Sequence, residues 1–150
     1  MRFQIERRID RPAAEVFAAS ADFAGAPARI PGIVAVEMLT AGPVGVGTRF
    51  RETRVMFGRE ASETMEVTEF EAGRRYLLVA DSCGCRFFSE IRVEPERDGA
   101  RWTLEVSSEP RSLLARVFGF AMGPMAKAMR RACEKDADDL KASLEASTPA

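Results

Sequence analysis

The sequence predicts an α+β fold: a seven-stranded, curved antiparallel sheet wrapped around one long C-terminal helix, with two short helices after the first strand. Three observations carry this. Arg2 to Asp10, and then successive runs between Ile33 and Pro110, alternate or concentrate apolar residues and are separated by turn signals, the pattern of strands in series. The segment between them is rich in Ala, Gly and Pro. Beyond Ser112 apolar residues recur at helical spacing, and such a stripe must be buried against the sheet.

In the first strand, Arg2 to Asp10, Phe3, Ile5 and Ile9 share one parity, and Gln4, Glu6, Arg8 and Asp10 share the other. Arg7 falls on the apolar side, to bind a ligand carboxylate or to pair with an acidic neighbour. Asp10 is placed to cap a helix from about Pro12 to Ser20 that buries Val16 and Phe17, with Pro12 in its first turn and Glu15 matching the dipole. Pro27 and Pro31 then allow only a helical turn and a loop. Ile33 to Thr40 reads as the second strand.

"GPVGVGTRF", Gly42 to Phe50, has the glycine density of a phosphate-binding loop. Such a loop needs a helix after it, whereas "TRFRETRV" alternates as a strand, and no Gly-Lys-Ser/Thr occurs. The glycines are read as a strand connection. Next, "TRFRETRVMFGREASETMEVT" folds back at Phe57-Gly58. That register sets Phe50 opposite Met65, Glu52 opposite Glu63, and Arg54 opposite Ala61, with Arg49 across from Glu66 on the other face. Phe disfavours positive φ, so the turn departs from the favoured two-residue type. Arg75 to Asp81 and Cys85 to Glu94 are further strands. Asp98-Gly99 signals the last hairpin, leading to a strand with Trp102, Leu104 and Val106 on one side.

Ser112 can cap a long helix to about Ser147 whose stripe is Phe118, Met122, Met125, Met129, Cys133, Leu140 and Leu144, with Asp136 as a gap. Pro124 predicts a kink or break. Residues 147–150 are expected to fray, and residues 1–150 to form a single domain without linker or repeat.

Composition excludes whole classes of chemistry. The chain has 150 residues, 46% hydrophobic and 30% charged, with net charge -1 and no basic run, which argues against nucleic acid as a partner. No histidine is present, which removes Ser-His-Asp and Cys-His nucleophile systems and every imidazole metal site. "MRFQIERRID" is too charged for a signal peptide, and the longest charge-free run, residues 38–48, is too short for a membrane-spanning helix. Three cysteines fit a reducing compartment, so the expected location is cytoplasmic. "CGC", Cys83 to Cys85, leaves only Cys133 to complete a zinc site, and Gly84 reads as a bend between strands. No metal and no cofactor is expected.

The order and spacing of "IDRPAAEVFAASADF" (Ile9 to Phe23), "GPVGVGTRFRET" (Gly42 to Thr53), "MEVTEFEAGRRYLL" (Met65 to Leu78) and "DADDLKASLEA" (Asp136 to Ala146) resemble the START-like helix-grip superfamily (SRPBCC), in its polyketide cyclase/dehydrase and lipid-transport branch. The resemblance covers nearly the whole chain. In one departure, "ARIPGI" lacks the aromatic that relatives often carry there. The resemblance implies an apolar cavity under the C-terminal helix and a hydrophobic ligand.

Within that expectation, the candidate ligand-binding residues are Phe50, Glu52, Arg54, Met65, Phe87, Ser89, Trp102, Leu104, Phe118, Met122, Met125 and Met129. The methionines offer a pliable wall, or are ordinary core. Glu52, Arg54, Arg59 and Glu63 share the inward face of the third and fourth strands. They line the cavity or sit at a solvated hairpin tip. Glu52, Arg54 and Tyr76 are the candidates for catalysis, through a carboxylate with an electrophilic helper. The leading function is a carrier, sensor or storage protein for a lipid, sterol, polyketide-like or isoprenoid molecule. The alternatives are a cyclase/dehydrase (aromatase-like) enzyme and an interaction module on a quinone- or chaperone-linked complex. A homodimer is left open.

Overall fold

The structure, a computed structural model, describes residues 1–118 and 123–146, and for Phe118 the backbone alone. The elements run β1 (Arg2–Ile9), α1 (Ala13–Ala21), α2 (Ala26–Arg29), β2 (Ile33–Met38), β3 (Arg49–Met56), β4 (Arg59–Glu71), β5 (Arg75–Ser82), β6 (Cys85–Glu96), β7 (Gly99–Pro110), α3 (Leu113–Phe118) and α4 (Gly123–Ala146). One seven-stranded sheet has the order β1-β7-β6-β5-β4-β3-β2, and every pair of neighbours is antiparallel. β1 and β2 form its two edges, so the α1–α2 segment carries the chain across from one edge to the other. Register shifts between Ile33 and Ala35 and between Val67 and Glu69 mark bulges, which bend the strands and deepen the concave face.

The β3–β4 register is the one the sequence predicts: Phe50 opposite Met65, Glu52 opposite Glu63, Arg54 opposite Ala61 and Arg49 opposite Glu66. The turn is Phe57-Gly58, with φ of 52° and 77°, the two positive values of a primed hairpin turn. Phe57 adopts this conformation despite its Cβ. The β6–β7 turn differs by one residue from its signal. Arg97 (φ 55°) and Asp98 make the turn, and Gly99 is the first residue of β7. A Cβ on Gly99 would lie 2.6 Å from the Ile9 carbonyl oxygen, so this glycine serves close backbone approach. Cys83-Gly84 is likewise a hairpin turn, and all three cysteines are free thiols.

Asp10 does not cap α1. No side chain caps that helix, and Pro12 itself is the N-cap residue. The Asp10 amide instead donates to Glu145 Oε2 at 2.9 Å, while Arg11 Nε donates to the Leu144 carbonyl at 2.9 Å. Ser112 does cap α3, its Oγ accepting from the Ala115 amide at 3.1 Å. The predicted single helix from Ser112 is described as two segments, α3 and α4, with residues 119–122 outside the description. Pro124 lies in the first turn of α4, where its missing N–H costs nothing. The expected fraying of 147–150 also lies outside the described residues.

α4 is held by its C-terminal half. Ala137 and Leu140 are buried, and Lys141 Nζ donates to the Arg8 carbonyl at 2.5 Å. Arg7 belongs to the same fastening: its Nε is 2.6 Å from Asp138 Oδ1. It therefore takes the ion-pair role rather than that of a ligand contact. Toward its N-terminus α4 stands away from the sheet. Met125 is 43% exposed and Met129 only half-buried. A tight core fills the space under α1, where Phe23 stacks on Phe50 at 4.3 Å and both Phe17 and Phe23 meet Tyr76 edge-on.

Candidate functional site

Between the concave sheet and the N-terminal half of α4 lies a cavity of about 1230 Å³. The strand alternation builds its floor, because every second residue of a strand faces the same side. Phe50, Glu52 and Arg54 enter from β3, and Glu63 and Met65 from β4. β5 gives Tyr76 and Leu78, β6 gives Phe87, Ser89 and Ile91, and β7 gives Trp102 and Leu104. Met125, Met129, Cys133 and Asp136 on α4 form the roof. Of the predicted site residues, Phe50, Glu52, Arg54, Met65, Phe87, Ser89, Trp102, Leu104, Met125 and Met129 therefore line one space, as does Tyr76. Met122 and the Phe118 side chain lie outside the described residues. Arg59 does not line the cavity; it pairs in register with Met56 beside the hairpin turn and is exposed.

The polar content of this wall is concentrated. Arg54 Nε lies 2.5 Å from Glu52 Oε1, and Arg54 Nη1 lies 2.7 Å from Asp136 Oδ2. The three side chains are 25%, 11% and 16% exposed, so the cluster is largely desolvated. Gly32 closes over it: a Cβ there would be 3.2 Å from Asp136 Oδ1 and 3.5 Å from Arg54 Nη1. Burial works against the Arg54 charge, but Glu52 and Asp136 outweigh it and hold the guanidinium protonated more firmly than usual. Burial pushes the Asp136 carboxyl up from its ordinary value, and Arg54 offsets this only in part. The Cys133 thiol, one turn before Asp136, is pushed up to about 12 by burial and by that carboxylate.

Asp136 is the residue that reading the sequence missed. It appeared as a gap in the apolar stripe of α4, and that was the signal: an acidic residue at a core-facing phase needs a partner. Arg54, inward-facing on a distant strand, is that partner.

Tyr76 is buried, and its hydroxyl donates to the Ser20 carbonyl at 2.7 Å. Burial, and then Glu52, raise it well above the ordinary phenol range. Trp102 Nε1 donates to Ser20 Oγ at 3.0 Å. Both polar tips therefore anchor α1 to the sheet. Chemically, the site offers an apolar surface, a carboxyl of raised proton affinity, and a guanidinium fixed beside it. Among the described residues no group of three or more His, Cys, Asp and Glu could hold a metal ion, and no helix is long and apolar enough to cross a membrane.

Residues 1–145 match the family described as polyketide cyclase / dehydrase and lipid transport. The chain belongs to this family. A search among curated proteins found no significant match. Solved structures share the fold at low identity. A protein of Thermus thermophilus is 20% identical, with a TM-score of 0.80 and coverage of 99% of this chain and 100% of that one. A START superfamily protein from Mycobacterium smegmatis is 15% identical (TM-score 0.77, 96% and 97% covered). The di-domain ARO/CYC StfQ from the steffimycin biosynthetic pathway is 12% identical (TM-score 0.78), covering 96% of this chain and 50% of that one. This family member thus has the START-like helix-grip fold that its sequence resembles.

Proposed function

We propose that residues 1–150 form one cytoplasmic domain that binds a hydrophobic small molecule, as a carrier, sensor or storage protein. The observation that carries this reading is the cavity of about 1230 Å³, walled mainly by apolar side chains and roofed by Met125 and Met129. Ligand pockets commonly span about 300–1,000 Å³, and this one lies just above that range, which suits a large apolar body such as a lipid, sterol, isoprenoid or polyketide-like molecule. Unbranched methionines can repack around ligands of different outline.

A cyclase/dehydrase activity is the second reading, favoured by one feature. Asp136, with its raised proton affinity, sits against Arg54 inside the cavity. A carboxylate there would take a proton from carbon beside a ligand carbonyl while Arg54 polarises the carbonyl oxygen. The interaction-module reading has no comparable feature in its support.

Native mass spectrometry of the purified protein, followed by extraction, separates the readings. A single apolar molecule bound and released unchanged supports the carrier. Conversion of a poly-β-keto substrate that is lost in Glu52→Gln and Asp136→Asn supports the enzyme. A protein that neither retains nor takes up apolar molecules contradicts both.

A further inference from the structure

We infer that the rim of the cavity docks on the surface of an anionic lipid bilayer, with α3 and the β3–β4 turn against the headgroup layer and the basic residues of α3 and α4 beside them. This rests on the ligand-binding reading above and adds the place from which the apolar ligand is taken up.

Two segments expose large apolar side chains at the rim. α3 rests on the Cys83-Gly84 turn through Ser112 and Ala115: a Cβ on Gly84 would lie 3.3 Å from Ser112 Oγ and 3.5 Å from Ala115 Cβ. The rest of α3 turns outward, and Leu113, Leu114 and Val117 are 80%, 69% and 70% exposed. Val117 lies three residues after Leu114 and four after Leu113, so the three form one stripe. At the β3–β4 turn Phe57 is 73% exposed. Phe57, Leu114 and Met125 line the cavity and are also exposed to solvent, so they frame its opening. Such a group of side chains gains free energy only by leaving water for an apolar phase.

Charge selects the partner. Residues 110–133 carry Arg111, Arg116, Lys127, Arg130 and Arg131 and no Asp or Glu, whereas the rest of the chain has 17 Lys and Arg against 23 Asp and Glu. All five are exposed. Arg116, Lys127 and Arg131 make no ion pair among the described residues, and Arg130 lies 3.2 Å from Glu134. The acidic groups nearby are already matched. Asp81 is held by Arg86 at 2.8 Å and also feels Arg111, and Glu109 stands opposite Arg86 in the register. The exposed Glu60 follows Arg59, and Glu63 faces the cavity. Two copies of so basic a face repel each other, which argues against a homodimer through it. An anionic bilayer surface attracts Lys and Arg within about a Debye length, and its interior accepts apolar side chains without a shaped groove. A bilayer also holds the apolar molecules that the cavity would receive.

Sedimentation with vesicles of phosphatidylcholine alone, and of phosphatidylcholine and phosphatidylglycerol in equal parts, tests this. The mixed vesicles should bind at least about tenfold more tightly at low salt, and the difference should shrink at high salt. Lys127→Glu/Arg131→Glu should weaken binding to the mixed vesicles by at least about tenfold. Leu113→Asn/Val117→Asn changes no charge and no residue of the cavity wall. It should weaken vesicle binding to a similar degree and leave binding of a neutral naphthylamine fluorophore, measured without vesicles, unchanged. No vesicle binding, equal binding to the two vesicle types, or binding unmoved by either variant would overturn the inference while the ligand-binding reading stands. So would a dimer that Leu113→Asn/Val117→Asn dissociates in analytical ultracentrifugation, since the stripe would then belong to a second copy. Failure to bind both vesicles and fluorophore would overturn both.

Discussion

Arg54→Met removes the one cation between Glu52 and Asp136 while keeping an apolar stem of similar reach. Breaking a buried ion pair by deleting one partner costs about 3–5 kcal/mol, because the remaining charge is left uncompensated. Arg54 is 25% exposed, and the cavity gives the orphaned carboxylates some access to water. The expected loss is therefore about 2–3 kcal/mol, a fall in Tm of about 4–12 °C for a chain of this size. The sign of the pH dependence follows from Asp136. Its carboxyl is already raised by burial, and Arg54 is what restrains it. Deleting Arg54 raises it further. A carboxyl raised in the folded state favours folding below its unfolded pKa and loses that contribution as pH rises through the folded value. The deficit of Arg54→Met against the unaltered protein should thus be small near about pH 4 and grow toward about pH 8. Urea unfolding, followed by the fluorescence of the single tryptophan, Trp102, measures it at each pH. Adding Glu52→Gln and Asp136→Asn should recover most of the loss. A deficit under about 0.5 kcal/mol, or one independent of pH, would refute the claim that this cluster is buried and mutually compensating.

Three further outcomes are expected. Gly99→Ala should destabilise by more than about 2 kcal/mol in urea, because its Cβ would meet the Ile9 carbonyl oxygen at 2.6 Å, and backbone cannot easily give way. Phe57→Asn should stabilise by about 0.5–1 kcal/mol, read as a rise in Tm, since Asn tolerates the φ of 52° and the 73% exposed ring loses little burial. Cys133, with its thiol pushed up to about 12, should alkylate with iodoacetamide far more slowly than the exposed Cys83, as peptide mapping would show.

The sheet was legible because its information is local and redundant. In β3 and β4 a one-residue slip would have scattered polar residues onto the core face, so Arg49, Phe50, Glu52 and Arg54 fixed their own partners. What stayed hidden depended on contacts between distant segments. Asp10 has the side chain of a helix cap, yet it stands two residues before the N-cap position at Pro12, its carboxylate lies 3.8 Å from Arg8, and its amide meets Glu145 on α4, a partner that spacing cannot reveal. Gly99 looked like a turn residue because the approach of Ile9 is a tertiary fact. Asp136 illustrates the site. Its phase on α4 was visible, but only the folded chain brings Arg54 to it. The cavity itself is a property of how far α4 stands from the sheet, which no local pattern encodes.

The proposed function requires that the space beneath α4 receive one apolar molecule. Titration of the protein with a neutral naphthylamine fluorophore, alongside Ser89→Phe, tests it most directly. Ser89 lines the cavity from β6, between Leu78 on one neighbouring strand and Val106 on the other, so a phenyl ring there would occupy ligand space. Saturable binding with one probe per chain is expected, with a loss of at least about tenfold in affinity in Ser89→Phe and folding retained. Binding that is absent, unsaturable, or equal in the two proteins would contradict it.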